Sequence, residues 1–123
     1  MRIQQVTIYT KIPTANQYLA WERSRGKTGK LKRISENSII EWLLVDGIKP
    51  VTNYPATLLY IWFCSDKRTD KSNIRFGEKF VEDALQKAGI IRNDGWSELA
   101  DPLHIFSIDK DNPRLELTIT EDK

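Results

Sequence analysis

Three residues around one helical pattern in the second half of the chain could together do chemistry. Asp70 precedes the pattern, Lys79 lies on its polar flank and Asp94 follows it. Carboxylate oxygens are the ligands that Mg²⁺ prefers, and a bound cation lowers the pKa of a water that attacks a phosphodiester. A neighbouring lysine stabilises negative charge on the phosphoryl oxygens. These residue types are therefore compatible with metal-dependent phosphodiester hydrolysis.

Each of the three residues also has a common structural explanation. Asp70 suits the start of a helix, Lys79 can pair with Asp83 one turn later, and Asp94 lies in an Asn-Asp-Gly turn. Other chemistries have less support. His104 is the only histidine, and the sequence contains neither a glycine-rich phosphate loop nor Cys/His spacing typical of zinc. Spacing alone leaves catalysis and structure both open.

A basic segment in the first half of the chain is the main electrostatic feature. Residues 1–50 carry nine Lys/Arg against four Asp/Glu, whereas residues 51–123 carry ten against thirteen. The positive charge is concentrated in six residues without an acidic one between them: Arg23, Arg25, Lys27, Lys30, Lys32 and Arg33. Such clusters release counterions from the phosphate backbones that they neutralise, so the segment predicts nucleic-acid contact. The alternative is a solvated loop.

The periodicity of the chain predicts a single α+β domain over residues 1–123, with a mixed or antiparallel sheet and two main helices. Strands are expected over about 2–10 and 56–64, a helix after Ser35 that stops at Gly47, a second helix over 74–88 that Gly89 ends, and a closing hairpin of 103–109 and 114–121. The helix over 74–88 would be about 22 Å long at ~1.5 Å per residue. Both flanking segments must therefore double back to bring Asp70 and Asp94 together.

The segment from Asp70 to Gly95 resembles the core signature of RusA-type Holliday junction resolvases. The similarity comprises DKSNI from Asp70, Lys79-Phe80, DALQKAG from Asp83, and Asn93-Asp94-Gly95. The final segment RLELTITE resembles the last strand of that family, and Pro13 and Asn16 match its Pro-x-x-Asn turn. The resemblance is strong over residues 70–95 and weak over 17–60. It implies a RusA-like fold.

Carried over residue by residue, the resemblance assigns Asp70 and Asp94 as metal ligands and Lys79 as the catalytic lysine. The family pattern Asp-x-Asp-Asn is here Asp70-x-Ser72-Asn73. Ser72 is a weaker, neutral oxygen ligand and also a good helix N-cap. The expected metal-binding set is therefore Asp70, Asp94 and Ser72.

The resemblance further implies the cofactor and the partners. The expected cofactor is Mg²⁺, and the expected activity is cleavage of four-way junctions or related branched DNA by a homodimer, of a type often encoded by prophages. Asn16 and Asn73 join the basic residues as expected DNA contacts. The alternative function is a degenerate DNA-binding protein that does not cut, because Ser72 replaces a carboxylate. The N-terminus has no long apolar stretch, so we expect a cytoplasmic protein without membrane contact.

Overall fold

A computed structural model describes residues 1–24, 26 and 28–122, which form a small single α+β domain. Its elements, in chain order, are β1 (Arg2–Ile8), α1 (Ala15–Glu22), α2 (Thr28–Val45), β2 (Ala56–Cys64), α3 (Lys71–Arg75), α4 (Glu78–Lys87), β3 (Leu103–Ile108) and β4 (Arg114–Glu121). The predicted mixed sheet is confirmed. The described residues contain two short helices, α1 and α3, beyond the two main ones.

The four strands form one mixed sheet in the order β1-β4-β2-β3. β4 is antiparallel to both β1 and β2, while β3 is parallel to β2. A parallel pair needs a crossover connection, and here α3 and α4 supply it. This crossover places Glu78 and Glu82 of α4 beside Leu58 of β2 and the loop before β3.

The predicted closing hairpin of β3 and β4 is wrong. β2 lies between these two strands, so the short segment 109–113 passes over the end of β2 instead of making a hairpin turn. The amide of Asp109 donates to the carbonyl of Cys64, which holds this crossing. A five-residue connection between two strands is typical of a hairpin loop. The same length can also span two strand separations, ~10 Å, and so cross over an intervening strand.

The predicted continuous helix over 74–88 is interrupted. α3 ends at Arg75 and α4 begins at Glu78, with bonds from the Gly77 amide to Ile74 and from the Phe80 amide to the Gly77 carbonyl. A Cβ on Gly77 would lie 2.6 Å from Ile12 Cγ2. The helix breaks where glycine allows this close approach to the segment after β1. Gly89, with φ +75°, ends the region as predicted.

The first half of the chain is more helical than the sequence patterns suggested. α2 begins at Thr28, not after Ser35, and runs through part of the basic segment. α1 begins after Thr14, whose side chain accepts from the Gln17 amide while the Gln17 side chain accepts from the Thr14 amide. This capping box, Thr-x-x-Gln, was a readable signal that the turn formers Pro13 and Asn16 obscured.

The core lies between the helices and one face of the sheet. Its fully buried members include Tyr60, Phe80, Ile39, Leu43, Leu58, Leu85, Leu117 and Ile119. The opposite face carries Leu103 and Ile105, which remain at least half exposed. No helix of residues 1–24, 26 and 28–122 has both the length and the apolar character to cross a bilayer.

Candidate metal and nucleic-acid site

Three of the sequence-predicted residues lie in one polar pocket. Ser72, Lys79 and Asp94 line a pocket of about 410 Å³ at the α3–α4 joint. The other charged residues that line it are Arg75, Glu78, Glu82 and Asp83. Ser72 and Asp94, which are twenty-two positions apart, thus line one pocket beside the first turns of α4. The pocket combines carboxylates with a lysine and an arginine, which suits a phosphate bound beside a cation.

Asp94 reaches this pocket because the chain reverses after α4. Gly89 takes φ +75°, and Ile90 and Ile91 then pack into the core. The Ile90 amide bonds to the Leu85 carbonyl, and its carbonyl accepts from the Val51 amide. These anchors direct the following loop back along the helix, as the reach of the chain requires.

Asp70 lies elsewhere. It is the exposed N-terminal residue of α3 and makes no side-chain cap bond, and it lines a different pocket, with Lys71 and Phe106. Among the described residues, no three His, Cys, Asp or Glu side chains already lie close enough to hold a metal ion. Of the expected ligand set Asp70, Ser72 and Asp94, the structure brings only Ser72 and Asp94 into one pocket.

Two glutamates in the pocket carry the strongest electrostatic signal. Glu78 and Glu82 lie one turn apart on α4 and line the same pocket. Burial, the neighbouring Glu78 carboxyl and the negative charges of Asp94 and Asp83 raise the pKa of Glu82 from 4.5 to about 8. At neutral pH Glu82 therefore keeps its proton. Sequence reasoning missed Glu82, although its i,i+4 spacing from Glu78 on one helix was visible.

His104 fixes the orientation of Glu78. Trp62 Nε1 donates to His104 Nδ1 at 2.9 Å, so His104 carries its hydrogen on Nε2, which lies 3.2 Å from Glu78 Oε2. Burial lowers the pKa of His104, which keeps the ring neutral. The ring also stacks on Tyr60, with centroids 4.5 Å apart. Only the parallel pairing of β2 and β3 brings Trp62 and His104 side by side, so the sequence did not reveal this chain of bonds.

Tyr60 lies beneath Glu82. Its side chain is fully buried, and among the described residues its hydroxyl has no hydrogen-bond partner of normal geometry. Burial, the charges of Glu82 and Glu78, and a side-chain contact with Glu82 raise the pKa of Tyr60 well above its usual value. The hydroxyl thus faces the carboxyl of Glu82.

The expected DNA contacts are distributed over α1, α2 and α3. The Asn16 amide donates to Asn73 Oδ1 at 3.0 Å, so the two asparagines meet beside the pocket. Arg23 is exposed at the end of α1, and Lys30 and Arg33 are exposed on α2. Arg25 and Lys27 lie outside the described residues.

Lys32 is occupied by protein carboxylates. Its Nζ lies 3.1 Å from Asp83 and 3.7 Å from Glu36. The hydrogen bond to Asp83 raises the pKa of Lys32. Lys32 therefore links α2 to α4 and is less available to a phosphate than its exposed neighbours.

Comparison of the chain with protein-family models and with curated proteins finds no match.

Proposed function

We propose that this protein is a Mg²⁺-dependent, structure-selective endonuclease that cuts Holliday junctions or related branched DNA. The observation that supports this best is the shared pocket of Ser72, Lys79 and Asp94, three residues of the RusA-like signature. A bound cation would supply an activated water and neutralise a phosphoryl oxygen.

Side chains of the protein would bind the phosphate, supply carboxylates to the pocket and contact the DNA backbone. Lys79 and Arg75 line the pocket and are exposed, so both can reach the phosphate whose bond is cut. Asp94 and the two glutamates provide the carboxylates of the same pocket. Asn16 and Asn73 are joined beside it, and the exposed Arg23, Lys30 and Arg33 extend positive charge away from it. These basic side chains would contact phosphates and so select for shape more than for base sequence.

The decisive experiment is cleavage of labelled DNA. The pure protein is incubated with a four-way junction and with a linear duplex of the same sequence, each with Mg²⁺ and with EDTA. We expect Mg²⁺-dependent nicks in the junction only. Lys79→Ala and Asp94→Asn should each reduce the cleavage rate at least a hundredfold, on the order of one general electrostatic contribution to catalysis. Asp111→Asn, in the exposed segment between β3 and β4, is the control and should cut normally. The proposal would be contradicted if the junction were cut in EDTA, or if Asp94→Asn cut it at the rate of the control variant.

A second candidate is a protein that binds branched DNA without cutting it. Two observations favour it: Asp70 lines a different pocket from Asp94, and Ser72 stands where the family has a carboxylate. Under this alternative the wild type binds the junction but leaves it intact. Ser72→Asp should then restore Mg²⁺-dependent cleavage, because the added carboxylate lines the same pocket as Asp94. A wild type that already cuts rules the alternative out.

A further inference from the structure

The two outer edges of the sheet differ in how well the rest of the chain covers them. β1 forms one edge and β3 the other. The segment that follows α2 lies along the edge of β1, where Asp46 Oδ2 accepts from the Thr7 amide at 2.9 Å. The Gln4 side chain bonds both the amide and the carbonyl of Lys49 in the same segment. The edge of β1 is therefore covered by the protein itself.

The edge of β3 has no such cover. β3 pairs only with β2, so its other side presents a row of backbone amides and carbonyls. Within the described ranges of the chain, no backbone bond from another element reaches this side. The strand reads LHIFSI, without the proline or the charged residues that usually protect an exposed edge. This edge is therefore open to pairing with another extended strand.

The exposed side chains of β3 are mostly apolar. Leu103, Ile105 and Ile108 are 60%, 50% and 45% exposed. On the face of the sheet that the helices leave open, Leu103 lies opposite Leu59 of β2, and Ile105 is in register with the next apolar residue of that strand. A strand added at this edge would remove part of this apolar surface from water. The backbone thus specifies an extended occupant, and the side chains specify an apolar one.

We propose that β3 of one chain pairs antiparallel with β3 of a second copy, so that the two sheets join into one sheet of eight strands. A twofold axis makes the two identical strands antiparallel, and each then donates to and accepts from the other. The strands can approach without repulsion, because Leu103–Ile108 contains no Asp, Glu, Lys or Arg. Asp109, which follows the strand, is bonded to Arg114 at 2.8 Å and adds no uncompensated charge. A second copy supplies the uncharged strand that this edge requires.

This pairing would also fix the distance between the two candidate sites. Asp101 and Pro102 directly precede β3, and they border a pocket of about 440 Å³ that Glu78, Glu82 and Asp94 also line. In an antiparallel pair these segments lie at opposite ends of the six-residue strands, roughly 20 Å apart along the strand direction. The inference rests on the sheet edge, and it deepens the proposed function by supplying the dimer that cleavage of a twofold junction needs.

The test is sedimentation equilibrium of the full chain without DNA. The wild type should have the mass of two chains. Ile105→Lys should weaken association at least tenfold, because lysine on an edge strand opposes pairing. Ile3→Lys is the matched control, since Ile3 is a similarly exposed isoleucine on the covered edge, and it should remain a dimer. Thermal melting should show that both variants fold.

Three outcomes would overturn the interface. The first is a wild type that stays a single chain at high micromolar concentration. The second is an Ile105→Lys variant that associates as tightly as the wild type. The third is a control, Ile3→Lys, that loses the dimer to the same extent.

Hydrogen exchange of the wild type is an independent measurement that needs no variant. The amides of Leu103–Ile108 should exchange more slowly as rising protein concentration increases the fraction of dimer, because pairing engages the outward amides. The amides of Arg2–Ile8 should exchange at a constant rate. If β3 exchanges at a constant rate over the concentrations in which the mass doubles, the chains associate through another surface and the inference is wrong.

The two proposals fail separately. A dimer that depends on Ile105 but cuts no DNA overturns the nuclease function and leaves the interface. Mg²⁺-dependent cleavage of the junction by a wild type that stays a single chain overturns the interface and leaves the nuclease.

Discussion

At the scale of single residues, the protonation state of Glu82 is coupled to the stability of the fold. Its pKa of about 8 in the folded protein lies above the ordinary value of 4.5. Between these values the folded state keeps a proton that the unfolded state has lost, so stability falls as the pH rises through that window. Glu78 and Asp83 on the same helix and Asp94 on the loop face this carboxyl and maintain the effect.

Glu82→Gln should therefore flatten the decline in stability between pH 5 and pH 8. We expect the wild type to lose roughly 1–2 kcal/mol more than the variant over this range, because solvent screens part of the effect at this half-buried carboxyl. Urea denaturation at several pH values measures it. Glu41→Gln, at an exposed position on α2, should decline as the wild type does. Parallel curves for wild type and Glu82→Gln would contradict the assigned pKa.

Gly77 determines the packing of the joint between α3 and α4. A Cβ there would lie 2.6 Å from Ile12 Cγ2 and 3.1 Å from Trp62 Cη2. Gly77→Ala should therefore destabilise the protein by about 1–3 kcal/mol, the usual cost of overpacking. Gly29→Ala on α2 meets no atom within 4 Å and should leave stability unchanged or slightly higher. The comparison of their urea midpoints is the measurement, and equal midpoints would show that Ile12 moves aside at little cost.

At the scale of elements, α2 divides its basic residues between two roles. Lys30 and Arg33 face solvent, whereas Lys32 is bonded to Asp83 of α4. In the proposed complex with DNA, Lys30 and Arg33 would therefore replace counterions on the phosphates, whereas Lys32 would not.

The triple variant Arg23→Ala, Lys30→Ala, Arg33→Ala should weaken junction binding and flatten its salt dependence. The slope of log K against log salt should fall in magnitude by about 0.9 for each phosphate that the variant no longer neutralises, hence by up to ~2.7. Lys32→Ala is the matched control and should leave the slope unchanged, although it removes the link between α2 and α4. Fluorescence anisotropy of a labelled junction over a range of salt concentrations measures both. An unchanged slope in the triple variant would remove this segment from the interface.

At the scale of the whole molecule, the proposed substrate bears on the oligomeric state. A four-way junction has approximate twofold symmetry and must be cut on two opposed strands, which a symmetric dimer of this chain would match. Sedimentation equilibrium should give the mass of two 14.3 kDa chains for the free protein, or of two chains plus one junction for the complex. A single 14.3 kDa chain on the junction at saturation would contradict the dimer.

The sequence by itself determined the local features of this protein. The α+β class, the buried strand over 56–64 and the glycine that ends α4 follow from periodicity and backbone preference, which depend on neighbouring residues. Asp94 and Lys79 were noted from their positions around the helical pattern, and Ser72 from the resemblance to a family motif, and the three line one pocket.

Tertiary structure decided which distant residues meet. A five-residue segment fits both a hairpin and a crossing over β2, so strand order could not be deduced from turn chemistry. That order puts Trp62 beside His104, and with it the donor behind Glu78. The break at Gly77 depends on Ile12, which is far away in the chain. The raised pKa of Glu82 results from its burial and its charged neighbours, and not from its residue type. The cost of charging a carboxyl depends on the water and the charges around it in the folded molecule.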